Sequence, residues 1–177
     1  MSRTMNQGTI PARVDPIKCV EQNTHIEGVL AVSKLDRLGD YLTERSGEVQ
    51  VSMTFGRDEQ KIATLQGQCD TRVKMLCQRC LKPVEVEVSS EFSLGIVFSD
   101  EQASHLPKQY DPIVTDGESL ALPQLLEDEL ILSLPMFAYH DHCEEHEHTS
   151  ESVSSQDEAV VEKKENPFSV LAQLKKS

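Results

Sequence analysis

Tryptophan, other aromatic residues and basic charge are all scarce in this sequence. The chain of 177 residues has no Trp and is 5% aromatic. Proteins that bind single-stranded nucleic acid usually stack bases on aromatic rings, so an extended base-stacking surface is disfavoured. Seventeen Lys and Arg residues against thirty Asp and Glu residues give a net charge of −13. This charge excludes a protein that neutralises phosphates over its whole surface, and any RNA contact must be local.

Long apolar runs are absent as well. No stretch approaches the roughly 18 uninterrupted apolar residues of a membrane span, and the segment up to Pro16 lacks the apolar middle of a signal peptide. We therefore expect a soluble cytoplasmic protein with no membrane partner. The cytosol keeps thiols reduced, so the five cysteines raise the question of metal binding.

Acidic charge is concentrated near the C-terminus. Residues 141–165 contain nine acidic residues and two lysines, a charge of −7 within that stretch alone. Such a composition buries too little apolar surface to offset chain ordering. In the last segment, Asn166-Pro167 would open a helix with Phe168, Leu171 and Leu174 on one side, which either binds a partner or folds back on the sheet. The predicted organisation is a disordered N-terminus (1–8), a single β-rich domain (9–148), a disordered acidic linker (149–165) and a short C-terminal helix (166–177).

The folded part shows the two-residue alternation of β-strands. Apolar residues alternate with polar ones from Val49 to Phe55, a turn follows, and residues 61–69 return as the second strand of a hairpin. Residues 73–77 and the even positions from Val84 to Phe98 continue the pattern. Strands this long must bend. We predict an α+β fold, mostly antiparallel, with a curled or barrel-like sheet and two or three short helices.

Two helices have recognisable boundaries. Ser33 with Asp36 resembles a capping box, and a second helix runs from about Leu122 to Leu134. Ideal helical angles place Glu129 on the apolar arc of the second helix and turn its neighbours Glu127 and Asp128 away. A carboxylate on a packing face needs a partner. Glu129 would either lie at a partly exposed edge or pair with an Arg, or it would orient a metal ligand.

The motif that most strongly suggests a metal site is Cys77-Gln78-Arg79-Cys80, at the turn between two strands. Two thiolates at this spacing supply half of a tetrahedral zinc site. The other half could come from His140 and Cys143, with further histidines nearby (His142, His146, His148). The sequence therefore predicts one structural zinc held by Cys77, Cys80, His140 and Cys143. The alternatives are reduced thiols without metal and, less consistent with a hairpin, a redox pair.

The densest basic cluster lies in the same region. The predicted hairpin register pairs Arg72 with Glu87 and Lys74 with Glu85 as cross-strand neighbours of opposite charge. Arg79 and Lys82 remain at the tip, where they could contact RNA phosphates or an acidic partner.

Several motifs together resemble the YceD family. They are Met53-Thr54-Phe55, the Cys77–Cys80 turn with Lys82-Pro83, Ser99–Ala103, Glu127–Leu132 before Leu134-Pro135, and the terminal Asn166-Pro167-Phe168. The likeness covers nearly the whole chain, and it implies a role in synthesis, processing or stability of 23S ribosomal RNA in the bacterial cytoplasm. It also gives weight to Cys77, Cys80, His140 and Cys143, although this chain has His140 and His142 around a single Cys143 there and Leu81 where relatives often have Gly.

Three classes of function are consistent with these features. The first is a non-enzymatic factor that contacts precursor large-subunit rRNA or a pre-ribosomal particle through Arg79 and Lys82. The second is an acidic adaptor that binds a basic ribosomal protein or an rRNA-processing enzyme. The third is a metal-dependent nuclease using His140, Asp141 and His142, which lacks a second acidic cluster for two metals. We expect a protein that is not an enzyme.

Overall fold

The computed structural model describes residues 4–143, with side chains from residue 8 onward. A six-stranded sheet, a two-stranded sheet and four α-helices form this part of the chain. No helix within it is long and apolar enough to cross a membrane. The elements are β1 (Thr4–Thr9), β2 (Arg13–Val14), α1 (Pro16–Glu21), β3 (His25–Ala31), α2 (Asp36–Gly39), β4 (Glu48–Arg57), β5 (Ala63–Leu76), β6 (Pro83–Val97), α3 (Asp100–Ser104), β7 (Asp111–Val114), β8 (Leu120–Ala121) and α4 (Leu122–Ser133).

The sheet is open. Its strand order is β1-β3-β4-β5-β6-β7, with antiparallel pairs in the centre and a parallel strand at each edge. The predicted α+β class with mostly antiparallel strands is confirmed, while the barrel-like closure is wrong. The long β5–β6 pair runs through thirteen consecutive residue pairs without a bulge, so nothing there turns the sheet toward closure.

Residues at both ends of the chain carry predictions of disorder. Thr4–Thr9 forms β1 beside β3, and the disorder predicted for 1–8 stays a prediction. The acidic linker over 149–165 and the terminal helix with Phe168, Leu171 and Leu174 lie outside the described residues. Those assignments, and the domain boundaries with them, stay predictions.

Two short helices, α1 and α3, begin at capping side chains and have no clear apolar periodicity in the sequence. The Asp15 side chain accepts a hydrogen bond from the Lys18 backbone N–H and begins α1, and Ser99 accepts one from Gln102 to begin α3. The predicted capping box at Ser33 is wrong, because residues 32–34 form a 3₁₀ turn and α2 begins after Leu35 without a side-chain cap. The predicted helix from Leu122 is confirmed as α4.

The two faces of the sheet differ sharply. One packs against the helices in a core that includes Val49, Phe55, Leu65, Leu126 and Leu130. The opposite face, called the open face below, is polar and carries six acidic and two basic side chains on β3–β6. The predicted register is confirmed there, since Arg72 lies opposite Glu87 and Lys74 opposite Glu85. The charged residues of the open face are Glu27, Glu48, Asp70, Arg72, Lys74, Glu85, Glu87 and Glu91.

A buried carboxylate joins α4 to α2. Glu127, 6% exposed, accepts hydrogen bonds from the backbone N–H groups of Arg37 at 2.7 Å and Leu38 at 3.1 Å, and from Arg37 Nε at 3.1 Å. It therefore caps the otherwise uncapped α2. The prediction that Glu127 points away from the packing face is wrong, whereas Glu129 lies at a partly exposed edge, one of its predicted alternatives. Glu129 is half-buried, and burial raises the pKa of its carboxyl.

The Glu127 interaction gives a stability test. We expect Glu127→Leu to lower the free energy of unfolding by about 2–4 kcal/mol, because two backbone N–H groups lose their acceptor while the side-chain volume is kept. Glu127→Gln should cost less, since its amide oxygen can still accept both bonds. Urea denaturation measures the change, with exposed Glu21→Gln on α1 as the control. A Glu127→Leu protein as stable as wild type would contradict this role.

Candidate metal centre

The connection between β5 and β6, residues 77–82, forms a tight loop that is called the apex below. The Cys77 N–H donates to the Lys82 carbonyl and the Leu81 N–H donates to the Cys77 carbonyl, both at 2.9 Å. Leu81 adopts φ 57°, a left-handed conformation that glycine adopts more readily. This closed loop brings Cys77 and Cys80 together, and both are buried.

The chain that follows α4 comes back against the apex. Ala138 pairs with Cys77 in a short parallel bridge, and the Gln78 N–H donates to the Ala138 carbonyl at 2.9 Å. Ala138 is buried within a small core beside the two cysteines and Val84. His140 and Cys143 follow directly, so the backbone pairing carries them to the cysteine loop.

All four predicted donors meet at this point. One donor atom from each of them lies within 4.8 Å of every other. Cys77 Sγ is 3.7 Å from Cys143 Sγ, and Cys80 Sγ is 3.3 Å from His140 Nδ1. Within residues 4–143 no other group of three or more such donors is as close. The alternative donor His142 is exposed and lies outside the group, and His146 and His148 lie outside the described residues.

The donor set is compatible with a structural zinc. Three cysteine sulfurs and one imidazole nitrogen make up one of the usual tetrahedral zinc sites. The His140 Nε2–H group donates a hydrogen bond to the Pro83 carbonyl at 3.0 Å. In this tautomer Nδ1 has no proton, and its lone pair lies beside the Cys80 sulfur, where it could bind a metal. A ring nitrogen held by a carbonyl in this way is typical of metal-ligating histidines.

The electrostatics of the centre favour an anionic sulfur at Cys77. Burial opposes ionisation of this thiol, but the backbone N–H groups of Cys80, His140 and Arg79 donate hydrogen bonds to its sulfur, and the pKa of Cys77 falls to about 5. Burial raises the pKa of Cys143 to about 11, reinforced by its hydrogen bonds with Cys77 and Cys80. Cys77 is thus ready to bind a cation at neutral pH, whereas Cys143 must release a proton when it does so.

The predicted contact residues lie on the outside of the apex. Arg79 and Lys82 are both exposed. The Arg79 guanidinium donates to the His140 carbonyl at 3.4 Å and lies 5.9 Å from the centre of the Tyr139 ring. Sequence reasoning missed Phe137 and Tyr139, whose rings are 57% and 52% exposed. The run Met136-Phe137-Ala138-Tyr139 after Pro135 was the signal, because such a density of apolar residues is unusual in an exposed connection.

Comparison with known proteins decides the family. The sequence pattern of the YceD family, described as "Large ribosomal RNA subunit accumulation protein YceD", matches residues 65–175, an interval that contains all four donors. The chain belongs to the YceD family. A YceD protein of Haemophilus influenzae, named "Large ribosomal RNA subunit accumulation protein YceD", is 34% identical over 180 residues, which cover 97% of this chain and 99% of that protein. No solved structure matches the chain.

The difference in pKa between the Cys77 and Cys143 thiols of this YceD chain can be measured. In metal-free protein we expect thiolate ultraviolet absorbance to rise as the pH passes about 5, because Cys77 ionises there, and a later step near pH 11 from Cys143. The Cys77→Ala variant should lose the first step, while Cys69→Ala should keep it, since burial raises the pKa of Cys69 to about 12. An unchanged acidic step in Cys77→Ala would contradict the assignment.

Proposed function

We propose that this protein is a non-enzymatic ribosome-biogenesis factor needed for synthesis, processing or stability of 23S ribosomal RNA in the bacterial cytoplasm. The observation that carries the proposal is the end-to-end match to a protein named for accumulation of large-subunit ribosomal RNA. The match covers 97% of this chain and 99% of that protein, so it is not confined to one segment. Assembly of the large subunit takes place in the cytoplasm, which supports that location.

The same proposal includes one structural zinc, bound by Cys77, Cys80, His140 and Cys143. Four protein donors would complete the tetrahedral coordination of the metal and leave no open position for water, so the site would be structural rather than catalytic. His140 also has both ring nitrogens engaged, one with Cys80 and the other with Pro83. It is therefore poorly placed to act as the base of a nuclease, which supports a protein without catalysis.

The zinc would stabilise the apex, the part of the surface that contacts the partner. Arg79 lies between two of the ligands in sequence and contacts the backbone of a third, His140. We propose that Arg79 and Lys82 contact precursor large-subunit rRNA or a pre-ribosomal particle from this apex. Loss of the metal would separate the cysteine loop from the segment after α4, and the contact surface would lose its shape.

The open face favours a second mode, the acidic adaptor. Six acidic side chains against two basic ones make this side of the sheet attractive to a basic ribosomal protein or to a basic region of an rRNA-processing enzyme. The Arg72 ion pair with Glu87 neutralises part of that charge. An adaptor of this kind would also affect 23S rRNA, so the two modes differ in the partner and in the surface used.

Elemental analysis tests the metal. We expect untagged protein to carry about one zinc per chain, because the four donors form one site. Cys77→Ser should lose the zinc and melt at a lower temperature. Cys69→Ala removes a buried cysteine elsewhere in the sheet and should keep the metal. Zinc-free wild-type protein with the same melting temperature as Cys77→Ser would rule out a structural zinc at this site.

Measurement of ribosomal RNA in cells tests the function. Cells that lack this protein should show a lower ratio of 23S to 16S rRNA, since large-subunit rRNA would fail to accumulate. Wild-type protein and Cys69→Ala should restore the ratio, whereas Cys77→Ser should not. An unchanged ratio in the deletion strain would refute the proposed function.

A further inference from the structure

The segment after α4 presents apolar side chains to solvent beside the proposed zinc centre. Met136 is 86% exposed, Phe137 57% and Tyr139 52%, while Ala138 between them is 4% exposed. Ala138 pairs with Cys77 and packs in the small core, whereas the rings of its two neighbours, Phe137 and Tyr139, stay largely exposed. The two exposed rings therefore flank the residue that joins this segment to the apex.

A cationic group lies next to one of these rings. The Arg79 guanidinium is 5.9 Å from the Tyr139 ring centre, within the range of a cation–π contact. Lys82 is on the same six-residue apex and is exposed. A planar guanidinium and exposed rings are surfaces on which unpaired bases stack, and Arg and Lys side chains bind phosphates.

We propose that Arg79, Lys82, Phe137 and Tyr139 form a site for single-stranded RNA, in which unpaired bases stack on the aromatic rings. This inference rests on the proposed function and names its RNA contact as a short unpaired segment. The site is called the stacking site below. With two rings and two cations, the site would bind only a few nucleotides. Stacking on rings and contacts with the RNA backbone give little sequence preference.

The charge distribution favours RNA at this site over a basic protein. The open face, with its six acidic residues, would repel phosphates and attract basic chains. The loop from Cys77 to Lys82 contains two cations and no acidic residue. A chain of net charge −13 can hold RNA only where positive charge is concentrated, and the apex meets that condition.

Binding to a single-stranded RNA of about ten nucleotides tests the stacking site, with the same RNA in a duplex for comparison. Tyr139→Leu should weaken single-strand binding about 5- to 150-fold, the value of one stacked base. Tyr41→Leu is the matched control, because Tyr41 is 55% exposed and lies outside the site. Phe137→Leu should likewise weaken binding, with Phe98→Leu as its control.

The dependence of RNA affinity on salt concentration measures the number of phosphate contacts. Two cations predict a slope of log affinity against log salt of about −1.4 for a single strand. Arg79→Gln should reduce the slope by about 0.7. Arg72→Gln makes the same charge change on the open face and should leave it unaltered. Equal effects of the two variants would overturn the proposal, since binding would then reflect net charge alone.

The absence of Trp gives a direct readout of stacking. Tyr139→Trp would introduce the sole tryptophan of the chain, and single-stranded RNA should quench its fluorescence. Tyr41→Trp, compared in the same way, should show no quenching. Quenching in neither variant, or in both equally, would overturn the stacking geometry.

Complementation separates this inference from the proposed function. If deletion lowers the 23S to 16S ratio and Tyr139→Leu fails to restore it while Tyr41→Leu succeeds, both stand. If Tyr139→Leu restores the ratio fully and binds RNA as wild type does, the stacking site is refuted and the function is not. Wild-type protein that binds a basic ribosomal protein and no single-stranded RNA at low salt would likewise overturn the site and favour the adaptor.

Discussion

The contact between the apex and the chain after α4 is the constraint on which the functional end of this molecule depends. It joins positions 60 and 66 residues apart in sequence, through Cys80 with His140 and Cys77 with Cys143. Ordering so distant a pair of segments is entropically costly, and two backbone interactions at Ala138 are a small compensation. A zinc ion bound by four donors would supply the missing stabilisation, because binding free energy becomes folding free energy.

Charge is unevenly distributed between the open face and the apex. Acidic side chains cover the open face, whereas two cations and two aromatic rings surround the apex. A protein with a large negative net charge can therefore approach RNA in one orientation, with the sheet turned away from the phosphates. The proposed stacking site and the proposed adaptor surface lie on different parts of the chain, and the substitutions that test them do not overlap.

The sequence was most informative where the pattern was local and strong. Alternation predicted β4, β5 and β6 with their register, and Cys-x-x-Cys with later His and Cys predicted the four donors that meet. The edge strands β1 and β7 and the open sheet were not predictable, because short parallel edges leave little periodicity. Glu127 was assigned to the wrong side of α4 because ideal helical angles do not reveal which neighbouring helix needs a cap. The Asp15 and Ser99 caps were readable signals that apolar periodicity alone passed over.

X-ray absorption at the zinc edge of the purified protein tests the central claim most directly. Our account predicts a first shell of three sulfur atoms at about 2.3 Å and one nitrogen at about 2.0–2.1 Å. His140→Ala should replace the imidazole nitrogen with the oxygen of a water molecule and leave the three sulfurs in place. A shell of oxygen and nitrogen atoms without sulfur would contradict the claim that a three-cysteine, one-histidine centre joins the apex to the chain after α4.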